Sequence, residues 1–170
     1  MTPAETLILG AYFFILSILA LYGWHRYFLV YLYMKHKGDK VATPVVPETW
    51  PAVTVQLPLY NEMYVVDRLV EAVCRMDYPR DRLEIQVLDD SNDETQDIAR
   101  LAVQRYAAQG FDIKYIHRDD RLGYKAGALE AALKVATGRF VAIFDADFVP
   151  SADFLKRTVP YFAEPRVAMV

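Results

Sequence analysis

Asp145 and Asp147 flank one alanine inside VAIFDADFVP (residues 141–150), where apolar residues lead into the pair and follow it. Like charges that close repel unless a positive group lies between them. With no cysteine or histidine in the stretch, an all-oxygen pair suits a hard divalent cation, Mg2+ or Mn2+. Three other polar clusters match that chemistry. LPLYNE (57–62) carries Tyr60, Asn61 and Glu62, LDDSND (88–93) carries Asp89 and Asp90, and HRDDRLGYKAG (117–127) carries Lys125. A divalent cation commonly bridges phosphate oxygens, and a lysine adds a point charge for the same phosphates. An aspartate accepts an N–H from a nucleobase, and a tyrosine stacks on its face. Metal, diphosphate and nucleobase together describe a nucleoside diphosphate. In a sugar nucleotide, the departing diphosphate develops charge that the cation and Lys125 would stabilise.

Alone, each cluster has an ordinary structural explanation. Asp-x-Asp occurs by chance, Asp89 and Asp90 suit a turn before a helix, LPLYNE suits a strand end with an Asn cap, and GYKAG suits a helix start with a solvated lysine. His117 reads as a structural strand-end residue. What lifts the clusters above these explanations is the set of elements that must carry them. VTVQLP (53–58), EIQVL (84–88), FDIKYIH (111–117) and RFVAIFDAD (139–147) read as strands, and RVAMV (166–170) as the start of a fifth. Between them lie helical periods. Residues 63–76 place Val66, Leu69, Val70, Val73 and Cys74 on one face, and Tyr78-Pro79 stops them. Ser91 or Asn92 caps a second helix with Ile98, Leu101, Ala102 and Tyr106 on its apolar side, ended by Gly110. GYKAGALEAALKVATG (123–138) is a third helix, and Ser151 caps a fourth bearing Phe154, Leu155, Val159 and Phe162. Such alternation predicts an α/β fold with a mostly parallel sheet covered on both faces. Ligands of such sheets gather at the carboxyl ends of the strands, where all four polar clusters fall.

The 170 residues are 54 % hydrophobic and 14 % aromatic, with a formal net charge of −3, which makes no electrostatic case for nucleic acid. One cysteine, Cys74, excludes an internal disulfide, and three scattered histidines offer no zinc spacing. Cys74 is expected to be a small buried apolar residue. The apolar content concentrates in residues 7–24, LILGAYFFILSILALYGW, which contain no charge. As a helix this run reaches about 27 Å, roughly one bilayer core. A cleaved signal peptide wants a positive start and a shorter run, whereas the flank here is TPAET and the run ends in bulky aromatics. A transmembrane helix is therefore the expectation, ahead of a buried soluble one. Arg26, Lys35, Lys37 and Lys40 follow the span while only Glu5 precedes it. That places the amino terminus outside and the rest in the cytosol. The domain plan is an anchor helix over 1–36, a proline-rich linker over 37–52 and an α/β domain over 53–170. A stop at Val170, inside an expected strand, points to the front part of a longer polypeptide.

LPLYNE, VLDDSND, GYKAGAL and FDADF, in this order and at comparable intervals, resemble the front half of a family-two glycosyltransferase. They are most similar to the processive, membrane-bound, cellulose-synthase-like branch, including mannan and glucomannan synthases. The resemblance covers about residues 50–170. It implies a Rossmann-like GT-A nucleotide-sugar-binding domain in a plasma, inner or Golgi membrane. It also implies metal-dependent, inverting transfer from a nucleotide-diphosphate sugar, UDP-glucose or GDP-mannose, onto a β-linked polysaccharide. Tyr60 and Glu62 would lie around base and ribose, one of Asp89 or Asp90 would contact the base, and Lys125 would meet the diphosphate. Asp145 and Asp147 would be the metal pair, with Asp147 the more direct ligand. The branch's Thr-Glu-Asp motif, which supplies the general base, and its Gln-x-x-Arg-Trp motif are absent, the only tryptophans being Trp24 and Trp50. A donor-binding half is thus expected, with the catalytic base downstream. Two alternatives stay open on these residues: single transfer to a lipid acceptor, and a nucleotide-sugar-binding fragment without turnover. A phospho-receiver domain shares the acidic pair and lysine, but there the lysine follows the phosphorylated aspartate, whereas Lys125 precedes Asp145.

Overall fold

The computed structural model describes residues 2–38 and 44–170. They fall into two compact units, divided between residues 43 and 44. The first contains α1, Pro3–His36, opened by a capping box. The Thr2 hydroxyl accepts the Glu5 N–H at 3.3 Å, and the Glu5 carboxylate accepts the Thr2 N–H at 2.9 Å. Two otherwise orphaned donors are thereby satisfied. Leu7, Phe14, Leu21, Trp24 and Tyr27 are all exposed, and no residue of α1 is buried. A helix apolar on every side needs an apolar environment, and α1 is long and apolar enough to cross a membrane. Ser17 returns its hydroxyl to the Phe13 carbonyl at 2.8 Å, so its own donor is satisfied within the helix. Of the expected linker, residues 39–43, with Lys40, lie outside the described residues. Its last residues belong to the second unit: Trp50 packs edge-on against Tyr78, whose hydroxyl donates to the Pro51 carbonyl at 2.6 Å.

The second unit is built on four strands, β1 (Val53–Leu59), β2 (Leu83–Asp89), β3 (Asp112–His117) and β4 (Phe140–Ile143). All pair in parallel, in the order β3-β2-β1-β4. Parallel pairing requires long crossovers, and α2 (Val66–Cys74), α3 (Thr95–Ala107) and α4 (Tyr124–Leu133) provide them. Side chains alternate across a strand. Val53, Val55, Leu57 and Leu59 therefore join Ile85, Val87 and Ile113 beneath Leu69, Val70, Val73, Ala99 and Ala102 of α2 and α3. The opposite face holds a smaller cluster, Leu88 with Ala128 and Ala132 of α4. Cys74 is buried and free, and burial pushes its thiol up to about 12, outweighing Arg80 and Arg105.

Beside the small cluster lies a buried polar stripe. Glu84, only 3 % exposed, accepts hydrogen bonds from Lys114 Nζ (2.6 Å), Thr54 Oγ1 (2.6 Å), Thr137 N (2.7 Å) and Thr137 Oγ1 (2.8 Å). Burial alone raises a carboxyl, but these bonds outweigh it and hold Glu84 at about 2. Gly138 donates its N–H to Thr54 Oγ1 at 2.8 Å. The helix expected to run to residue 138 stops at Leu133. Val135 and Ala136 reach back only three residues, to Ala132 and Leu133, and Glu84 and Thr54 take the N–H groups of residues 137 and 138 out of the helical ladder.

Other elements also differ from expectation. The helix expected over 63–76 keeps only its middle, because residues 62–65 close a turn through Val65 N–H to Glu62 O. The buried face of α3 is Thr95, Ala99, Ala102 and Val103, whereas Leu101 is exposed. Neither Ser91 nor Asn92 caps α3, since both are engaged with Asn61. Ser151 contributes its carbonyl, not its hydroxyl, to the start of α5 (Phe154–Thr158), a short helix that tightens into a 3-10 turn over Val159–Ala163. Residues 166–170 form no strand. On the α4 side of the edge strand β4, Val141 and Ile143 remain exposed, so that face is incompletely covered.

Candidate functional site

The carboxyl ends of the four parallel strands carry the polar clusters, and local geometry fixes how each is presented. β4 ends at Ile143, two residues earlier than the acidic pair, and a turn follows in which Phe148 N–H reaches Asp145 O at 2.9 Å. The expected strand over 139–147 is therefore shorter, yet its alternation persists. Phe144 and Ala146 are buried while Asp145 and Asp147 face outward. The two apolar residues pin the turn, and the carboxylates are its outward corners.

At the end of β1, Asn61 takes a left-handed backbone, φ 54°, a conformation asparagine tolerates better than most residues. Its N–H meets Ser91 Oγ at 2.8 Å, and its side-chain amide exchanges bonds with Asn92 at 2.9 and 3.1 Å. The loops after β1 and β2 are thereby stitched together, which sets Tyr60 and Glu62 beside Asp90. Within the acidic pair the roles separate. Asp89 is fully buried, accepting the Ser91 N–H at 2.9 Å and the Tyr115 hydroxyl at 2.6 Å. It holds the loop and does not line the cavity. Asp90 does, and is gripped by Arg118 through Nε at 2.8 Å and a second bond from Nη2. His117 closes β3 with its ring stacked on Tyr115.

The segment after β3 turns sharply, through Gly123 at φ 73° and Tyr124 at φ 51°. Arg118 braces it, donating to the carbonyls of Leu122 (3.2 Å) and Tyr124 (3.1 Å). Each glycine of GYKAG has its own reason. Gly123 meets the positive φ, and a Cβ on Gly127 would collide with the Leu122 carbonyl. The outcome is that α4 delivers Lys125 into the cavity at its amino terminus, where Lys125 is ion-paired with Asp145.

Tyr60, Glu62, Asp90, Arg121, Lys125, Asp145 and Asp147 line one cavity of about 410 Å³, within the usual range for small-molecule sites. Burial raises the Glu62 carboxyl above its ordinary value, Asp147 and Asp145 push it the same way, and Lys125 pulls it back. The cavity thus has an excess of negative charge at the acidic corner. Among the described residues, no three His, Cys, Asp or Glu side chains converge on a single ion position. A cation at Asp145 and Asp147 would take two protein carboxylates at most and complete its shell with phosphate oxygens and water, as Mg2+ habitually does. The residues present fit such an ion. Two further functional candidates, Arg118 and Arg121, are not apparent from sequence. Both sit in a charged stretch, HRDDR, whose arginines look solvated until their partners are placed.

Residues 54–170 match the family described as glycosyl transferase family 2. The chain belongs to that family. Among curated relatives, it is 48 % identical over 126 residues to glucomannan 4-beta-mannosyltransferase 9 of Arabidopsis thaliana, covering 71 % of this chain and 24 % of the relative. It is 46 % identical over 116 residues to glucomannan 4-beta-mannosyltransferase 1 of Oryza sativa subsp. japonica, covering 66 % of this chain and 22 % of the relative. This family 2 chain therefore spans about a quarter of the length of the curated relatives it matches. Among solved structures it resembles the mannosyltransferase PcManGT from Pyrobaculum calidifontis in complex with GDP-Man and Mn2+. The TM-score is 0.70 at 33 % identity, over 88 % of this chain and 44 % of that one. The α/β architecture is GT-A-like, as the motifs implied.

Proposed function

We propose that this chain is the donor-binding part of a membrane-bound inverting glycosyltransferase that extends a β-linked polysaccharide from a nucleotide-diphosphate sugar, with GDP-mannose as the preferred donor. The observation that carries this reading is the convergence of Tyr60, Glu62, Asp90, Lys125, Asp145 and Asp147, drawn from four strand ends, on one cavity. GDP-mannose is favoured over UDP-glucose by the mannosyltransferase relatives and by the GDP-Man complex of PcManGT.

In this reading Tyr60 offers the base the ring face that Arg121 does not cover, Glu62 accepts from the ribose hydroxyls, and Asp90, aimed by Arg118, accepts an N–H of the base. Lys125, paired with Asp145 in the structure, would meet the diphosphate, and Asp145 and Asp147 would hold Mn2+ or Mg2+. The divalent ion would supply charge stabilisation for the departing diphosphate. Asp89 acts indirectly, by fixing the loop that carries Asp90. The acceptor, a growing glycan, is met by the rest of the protein, where the activating base is also placed. α1 crosses the bilayer with its amino terminus outside, as Arg26, Lys35 and Lys37 on the following side favour, leaving the donor cavity in the cytosol. Membranes carrying the whole enzyme, of which this chain would be the donor-binding part, given radiolabelled GDP-mannose or UDP-glucose, test the reading. Label from GDP-mannose should enter a β-linked polymer, stop with EDTA and return with Mn2+. Incorporation from neither donor, or incorporation indifferent to EDTA, rejects it.

A further inference from the structure

The cavity contains two cations, and they are in different states. Lys125 is paired with Asp145. Arg118, just behind the wall, is committed to Asp90 and to two carbonyls. Arg121 lines the same cavity, but among the described residues its guanidinium meets no carboxylate, although Glu62, Asp90, Asp145 and Asp147 line that space with it. What it meets instead is aromatic. Its Cζ lies 3.2 Å from the centre of the Tyr60 ring and 5.2 Å from that of Tyr124. Stacking engages the face of a guanidinium and leaves its edge, with the N–H fork, open.

We propose that Arg121 is a donor-binding residue that grips the diphosphate through this open edge, a role that rests on the donor-cavity reading above. A planar fork matches two phosphate oxygens at once, which a lysine ammonium cannot do. The tyrosine rings restrict the plane in advance, so less side-chain freedom is lost when the phosphates arrive. A left-handed turn at Gly123 and Tyr124 joins the segment containing Arg121 to α4, and Tyr124 N–H fixes the Arg121 carbonyl at 2.9 Å. The recognition is for the phosphate part of the donor and is indifferent to the base.

Phosphate contact and base contact can be separated by ligand. GDP and guanosine, with UDP and uridine in parallel, are titrated into the full chain in detergent micelles with Mn2+ present. Wild type should bind one nucleoside diphosphate clearly more tightly than its nucleoside. Arg121→Ala should weaken the diphosphate roughly 10- to 100-fold, as expected for a lost charge-assisted bidentate contact, and leave the nucleoside within about twofold. Arg121→Lys should recover only part of the loss. Melting temperatures of both variants check that the fold is intact. Equal loss of diphosphate and nucleoside would make Arg121 a mere support for the Tyr60 ring, and no loss of either would make it a solvated side chain. Both results overturn the proposal. Failure of wild type to bind any nucleotide is a different outcome, which overturns the donor cavity itself and the proposal with it.

Discussion

Replacing Glu84 with glutamine should remove a pH-dependent share of stability that can be worked out from its surroundings. The carboxyl is 3 % exposed and held at about 2 against an ordinary 4.5. A carboxyl with a lowered folded pKa stabilises the fold above its unfolded value, and loses that stabilisation as pH falls through the window to the folded value. At about 1.4 kcal/mol per pKa unit, the gap corresponds to a contribution on the order of 3 kcal/mol at neutral pH. For a domain of this size that is about 10 °C in melting temperature. The network sits at the amino-terminal ends of the strands, away from the cavity, so donor affinity should change little. Scanning calorimetry of the full chain in detergent at pH 7, 5, 3.5 and 2 measures the effect. Glu84→Gln should melt well below wild type at pH 7, and the difference should shrink between pH 4.5 and 2. Melting curves that stay parallel across that window would refute the assignment of Lys114, Thr54 and Thr137 as the cause.

Removing Arg118 strands the buried Asp90 charge, so Arg118→Met should destabilise the protein by about 3 kcal/mol. The double variant with Asp90→Asn should lose less than the two single losses combined, as denaturant titrations would show. Gly127→Ala, which drives a Cβ into the Leu122 carbonyl, should cost about 1–3 kcal/mol. It should also weaken donor binding, whereas an alanine at the open helical position Gly10 should do neither.

Much of the architecture is legible in the residue pattern, and the departures from it have specific causes. β1 and β2 stand out as apolar runs, and α2 because Leu69, Val70 and Val73 follow a helical period. α3 lies where the pattern puts it, and one residue of its expected face, Leu101, departs. Of the expected face, Ala102 is buried and Ile98 and Tyr106 pack against the core, but the tightest packing falls on Ala99, Ala102 and Val103, and Leu101 is left exposed. β4 is shorter than its pattern suggests because alternation in FDAD continues through the turn. The segment 166–170, expected as a strand, pairs with no strand among the described residues, and a strand exists only by pairing. In the site, the convergence of clusters follows from parallel strands alone. What stays hidden in sequence is every charge whose meaning depends on a distant partner: Glu84 with Thr137, Asp89 with Tyr115, Asp90 with Arg118. Sequence spacing cannot distinguish Asp89 from Asp90, because one peptide step turns one carboxylate into the core and the other toward the cavity.

The central claim is that Asp145 and Asp147 hold a divalent ion against the diphosphate of a sugar nucleotide. Calorimetric titration of GDP-mannose into the full chain, with and without Mn2+, for wild type and Asp147→Ala, tests it most directly. Wild type should bind only with Mn2+ present, and Asp147→Ala should lose that binding. Equal affinity in the two proteins, or wild-type binding unchanged by the metal, would contradict it.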